Sequence, residues 1–175
     1  RLTEQLLEDG AQVVVTDVNP DAVRDLVARH PSVRAVNDVD DLVREELDVY
    51  SPNALGGALD EVTVDLLRAR IVCGGANNQL VSEGHGGTAE RLRERGITYA
   101  PDFLVNAGGV IQVSDELHGF DMERARRRTA TIFDHTLEVL RSADAEDVTP
   151  AVAADRLAER RIAAGGPRPW LPAGE

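Results

Sequence analysis

Five short apolar runs, each closed by turn residues, alternate with amphipathic helical stretches along this chain, and that alternation restricts the fold more than any other feature. The runs are residues 11–16 (AQVVVT), 33–36 (VRAV), 47–50 (LDVY), 70–73 (RIVC) and 97–100 (ITYA). β-branched and aromatic side chains suit a pleated, buried surface, and strands separated by helices pair in parallel through right-handed crossovers. The pattern predicts an α/β fold with a doubly wound parallel sheet. In such sheets ligands gather outside the carboxyl ends of the strands, which directs attention to residues 51–57, 74–79 and 101–113.

The helices carry readable punctuation. Leu2, Leu6 and Leu7 share one face of a segment closed by Gly10, and Pro20 opens a helix over 20–29 that His30-Pro31 ends. Residues 38–46 form a short acidic helix, and Thr63 is expected to cap a helix whose packing residues include Leu59, Val62, Leu66 and Leu67. A polar helix over 88–95 closes at Gly96. Residues 121–142 form the longest helix, with Ala125, Thr129, Ile132, Phe133, Thr136, Leu137 and Leu140 on one stripe. Thr149-Pro150 restarts a helix through about Ile162, and a Pro- and Gly-rich tail follows.

The chemistry-bearing residues fall in the loops. In YAPDFLVNAGGVI, residues 99–111, Pro101 stops a strand and Asp102 stands where a helix N-cap belongs. Asn106, Gly108, Gly109 and Val110 follow, the glycines marking either a pocket floor or a tight helix crossing. Residues 74–79 present Asn77, Asn78 and Gln79, amides able both to donate and to accept, or else to satisfy loop backbone. Asp17, at the end of the second expected element, either binds ribose hydroxyls or caps the next helix together with Asn19. His30 reads as surface and His85 as a solvated loop residue, while His118 and His135 lack neighbours at metal-ligand spacing, so no metal is expected.

A net charge of −12 argues against nucleic-acid or anionic-membrane surfaces. All 19 basic residues are arginine, and the run Arg124, Arg126, Arg127 and Arg128 is expected to pair with nearby carboxylates. The one cysteine, Cys73, reads as a small buried hydrophobe in a reducing cytoplasm. No apolar run reaches the length of a membrane span or a secretory signal. The chain begins with Arg, which is read as the mark of processing or of a fragment.

The stretch YAPDFLVNAGGVIQVSDELHGFD resembles the signature of the Glu/Leu/Phe/Val amino-acid dehydrogenases, most of all their valine-specific branch. DVYSPNALGGALD (48–60) and IVCGGANNQL (71–80) are similar to the family's two other cofactor-facing loops, in the same order and at the same spacing. The resemblance covers residues 2 to about 161. It implies a Rossmann-type dinucleotide-binding domain over 1–120, lacking its first strand and Gly-rich loop, with C-terminal helices over 121–163 packed on it and a tail over 164–175. It implies NAD as cofactor, with Asp17, Ser51, Pro52, Asn53, Ala54 and Asn77 facing it. Ser51 and Asn53 replace the Ala and Cys usual in Ala-Pro-Cys-Ala, so there only the backbone role carries over. Asn78, Asn106, Gly108, Gly109 and Val110 are assigned to the substrate.

The implied reaction is reversible oxidative deamination of a branched-chain aliphatic L-amino acid by a cytoplasmic homo-oligomer. The family's catalytic lysines lie in an N-terminal domain, so no catalytic residue is expected here and the chain alone should be inactive. A non-catalytic dinucleotide-binding module or decayed enzyme would keep Asp17 and the core but have no use for Asn77, Asn106 and Gly108-Gly109. A Phe- or Glu-specific relative is the other alternative, the latter needing a cationic partner for the distal carboxylate.

Overall fold

The computed structural model describes residues 1–82, 87–117 and 119–165. Its elements run α1 (Leu2–Glu8), β1 (Val14–Val15), α2 (Pro20–Arg29), β2 (Arg34–Ala35), α3 (Val39–Val43), β3 (Leu47–Tyr50), α4 (Glu61–Leu66), β4 (Ala69–Val72), α5 (Thr88–Glu94), β5 (Thr98–Tyr99), α6 (Asp102–Val105), α7 (Gly108–Glu116), α8 (Met122–Glu146) and α9 (Pro150–Ala163). The strands form two parallel sheets, β1-β2 and β3-β4-β5. Tyr50 pairs with Val72, and Val72 with Tyr99. The carboxyl ends of β3, β4 and β5 are therefore level, and the segments that leave them emerge side by side.

Two hydrophobic clusters support this frame. The larger joins Tyr50, Leu59, Val64, Leu67, Val72, Leu92 and Tyr99 beneath the three-stranded sheet. The smaller packs Val139 and Ala143 of α8 against Ala153 and Ala154 of α9, with Leu104 of α6 laid against it. Small residues let these two helices approach closely. Residues 1–36 contribute one buried hydrophobic residue, Val33.

Several boundaries differ from expectation for local reasons. The strand expected over 11–16 shrinks to Val14–Val15, since it pairs only with short β2, and single bonds from Arg34 N–H to Val13 O and from Val36 N–H to Val15 O, both 3.0 Å, close the ladder. Asp60, not Thr63, caps α4: its Oδ1 accepts the Thr63 N–H at 2.7 Å, which places Thr63 inside the first turn. Leu59 is thereby left outside the helix, fully buried, in a bridge to Leu80. His30 is half-buried, not surface, with Nε2 3.6 Å from Glu4 Oε1. The apolar stripe of α8 also turns. Ala125, Val139 and Ala143 are buried while Phe133 is 72% exposed, because α9 covers the C-terminal half of the helix and α6 and α7 pack elsewhere on it.

Candidate functional site

The loops after β3 and β4 are locked together. Ala76 N–H donates to Pro52 O at 3.0 Å, and Gly74 lies so close that a Cβ there would stand 2.2 Å from the same oxygen. No residue but glycine fits at that point. Asn53 adds a side-chain tie: Oδ1 accepts the Gly75 N–H at 2.9 Å, while Nδ2 donates to Ser51 O at 2.9 Å and to Ser51 Oγ at 3.0 Å. Of the two residues that depart from the Ala-Pro-Cys-Ala pattern, Asn53 thus ties the loops to each other and Ser51 steadies the Asn53 amide. Ala54 follows in exposed backbone.

The third loop joins through Asn106. Its Nδ2 donates to Asn77 Oδ1 and, at 3.4 Å, to Gly75 O. Asn77 is exposed, and with its oxygen engaged by Asn106 its NH2 is the donor side of the amide. Asn78 adopts φ 52°, in the left-handed region that asparagine tolerates, and its carbonyl accepts the Gly57 N–H at 2.8 Å. The backbone of Asn78 is therefore the part that holds the loop.

Asp102 is not an N-cap. Pro101, with φ −55° and no N–H to lose, takes that position, and Asp102 becomes the first helical residue with its side chain buried. Oδ1 accepts the Phe103 N–H at 2.8 Å, Oδ2 accepts the Gln79 N–H at 3.1 Å, and the Asp102 N–H donates to Tyr99 Oη at 3.2 Å. Gln79 is fully buried too. The sequence signals its amide but not its burial.

On α7 the glycines have no packing reason to be glycine. A Cβ on Gly108 would touch only Thr129, at 4.0 Å, one on Gly109 would meet nothing within 4 Å, and neither residue has positive φ. The tight-crossing alternative therefore loses its support. Val110 beside them is 74% exposed. On the other side, Gly108 and Gln112 line an open hollow of about 470 Å³ with Phe120, Met122, Ala125 and Thr129. The far end of α7 is pinned to α8: Arg124 donates through Nε and Nη2 to the fully buried Asp115, whose Oδ2 also accepts the Asp121 N–H at 2.7 Å. The Arg124 guanidinium, helped by that N–H, holds the Asp115 carboxyl below its ordinary range. Arg126 pairs with Glu123 at 3.2 Å, so two of the four arginines of the run, Arg124 and Arg126, are seen to meet carboxylates.

Asp17 belongs to the other sheet. Its Oδ1 accepts the Asn19 N–H at 2.8 Å, and it is Asn19 whose side chain caps α2 through the Asp21 and Ala22 N–H groups. Cys73, just past β4, is half-buried, and burial pushes its thiol upward. His85, His118 and Trp170 lie outside the described residues. No helix among the described residues is long and apolar enough to cross a membrane.

The family profile described as Glutamate/Leucine/Phenylalanine/Valine dehydrogenase matches residues 9–164. The chain belongs to that family. It is 56% identical over 169 residues to a valine dehydrogenase of Streptomyces coelicolor, covering 96% of this chain and 46% of the relative, and 57% identical over 163 residues to that of Streptomyces albus, covering 93% and 44%. The crystal structure of L-tryptophan dehydrogenase from Nostoc punctiforme superposes with a TM-score of 0.89 at 36% identity, covering 94% of this chain and 48% of that one. The chain spans about half the length of the curated relatives it matches. Within that span, the three interlocked loops of this family member lie together at the carboxyl ends of β3, β4 and β5.

Proposed function

We propose that the natural protein is an NAD-dependent dehydrogenase that reversibly deaminates a branched-chain L-amino acid, valine or leucine, to the 2-oxo acid and ammonium, and that this chain supplies its cofactor-facing half. The observation that carries this reading is Gly108-Gly109. These residues face largely open space and are glycine with no demand from the chain's own packing, which supports close approach by a bound molecule. The donor set fits the cofactor: Asn77 offers its NH2 to a carboxamide oxygen, and an acid at the end of β1 fits ribose hydroxyls. Ser51, Pro52, Asn53 and Ala54 would line the nicotinamide side, and bound NAD supplies the hydride acceptor. Asn78, Asn106, Gly108, Gly109 and Val110 would face the amino acid, with Val110 suited to an aliphatic side chain.

The fold reading is a doubly wound dinucleotide-binding domain over 1–120, supported by the helices over 121–163. The orders β2-β1 and β3-β4-β5 become one continuous sheet when a further parallel strand lies between β1 and β3, and the Gly-rich phosphate turn belongs to that strand. The chain has no lysine, so an ammonium that stabilises the substrate carboxylate or activates water must come from elsewhere in the natural protein. The working form is a cytoplasmic homo-oligomer.

The test is an absorbance assay for reduced cofactor on the natural protein with valine, leucine, phenylalanine and glutamate, each with NAD and NADP, beside the 175-residue chain. Valine or leucine with NAD should be preferred, and the chain alone should be silent. Preference for glutamate, or steady turnover by the chain alone, would overturn the proposal.

A further inference from the structure

We infer that Gln79 and Asp102 form a buried clamp that positions Asn77, acting on the cofactor through that residue and not by contact. Both hydrogens of the Gln79 amide are engaged within its own loop, Nε2 donating to Gly74 O at 2.8 Å and to Ala76 O at 2.9 Å. One NH2 group so draws two carbonyls of the loop toward a single point, and Asn77 is left on the exposed side of the bend. The Gln79 backbone is fixed on both sides, its N–H by Asp102 Oδ2 and its carbonyl by the Leu59 N–H at 2.9 Å.

Asp102 serves the other half of the contact. The carboxylate that holds Gln79 also accepts the Phe103 N–H at the start of α6, and Asn106, which donates to Asn77, ends that helix. A single buried carboxylate sets the separation of the two asparagines. The Gln79 Oε1 is buried with no hydrogen-bond partner among the described residues. An apolar side chain of similar volume would avoid that desolvation penalty, so volume alone does not account for an amide here; the two donated bonds do.

The clamp is tested first on the 175-residue chain by amide hydrogen exchange with Gln79→Leu. The Gly75 and Ala76 amides, bonded to Asn53 Oδ1 and Pro52 O, should exchange at least tenfold faster while those of Val72 and Ala100 keep their rates. Equal acceleration at all four would reduce Gln79 to core filling and overturn the inference, as would no change. If Gln79→Leu does not fold, Asp102→Asn carries the same comparison, read at the Gln79 amide against Val72. The second arm rests on the dehydrogenase reading: in the natural protein Gln79→Leu should raise KM for NAD about tenfold with kcat within threefold, and should add less than twofold once Asn77 is already Ala. Full additivity would overturn the link to Asn77. A parent protein with no turnover defeats the dehydrogenase reading and, with it, this link to the cofactor, while the exchange result still decides the clamp.

Discussion

Asn106, at the end of α6, donates its side-chain N–H to the side-chain oxygen of Asn77, 29 residues earlier in the chain. The bond fixes which way each amide faces. Asn77 keeps its NH2 as a donor, and Asn106 keeps its oxygen as an acceptor.

Asn106→Asp sets two acceptors face to face and should turn the Asn77 amide over, so that its oxygen faces the ligand. KM for NAD in the natural protein should rise about tenfold, roughly 1.4 kcal/mol, and more than for Asn106→Ala. Equal effects of the two substitutions would show that the orientation of Asn77 is set elsewhere.

Gly109→Ala separates stability from function. A Cβ there meets nothing within 4 Å, and alanine favours the helix over glycine by about 0.5 kcal/mol, so the melting temperature should hold or rise slightly. Activity should fall if, as proposed, the methyl group enters the space of the substrate. Unchanged kcat/KM would take Gly109 out of the site.

Asp17→Ser addresses the cofactor's far end. A carboxylate opposes a 2′-phosphate, so preference for NAD over NADP should drop about tenfold, again roughly 1.4 kcal/mol. The Asn19 N–H bond accounts for one carboxylate oxygen only, and retained discrimination would leave Asp17 with that turn as its whole role.

Asp115→Asn should change how the chain responds to acid. Arg124 lowers the Asp115 carboxyl in the folded state, so its contribution to stability is present above the unfolded value of about 3.9 and is lost as pH falls through the lower folded value. Urea midpoints between pH 6 and 3 should place the variant below the parent at the upper end, with the gap closing toward the lower. A constant gap would mean that the pair adds no proton linkage.

Where structure follows from neighbours in sequence, it was legible. The bounds of α2 follow from Asn19, Pro20 and the His30-Pro31 stop, and the start of α9 from Thr149-Pro150. The run LDVY reads as β3 without revision. Asp60 and Thr63 show the limit of such signals, since both residue types cap helices and only the accepted bond decides between them. Asp102 looks like a cap until Pro101 is seen to hold that place, and its partner Gln79 lies 23 residues away, beyond any periodic pattern. The side-chain role of Asn53 is hidden for the same reason: the Gly75 N–H it holds belongs to another loop. The sequence marks the positions of Asn77 and Asn106 but not their bond to each other.

The uneven distribution of the core has a thermodynamic consequence for the proposed ligand. Asp17 stands just past the end of β1, within a stretch whose one buried hydrophobic residue is Val33, whereas Asn77 lies in the loop after β4, which belongs to the larger cluster's sheet. On the proposed reading the nicotinamide end of the site is preorganised, while the adenine end is carried by the part of the chain with least to hold it. Part of the binding free energy at that end must go to immobilising β1 and β2. Association should therefore show a more unfavourable entropy for the whole dinucleotide than for its nicotinamide half, and whatever packs against β1 in the natural protein would tune affinity without touching the cofactor.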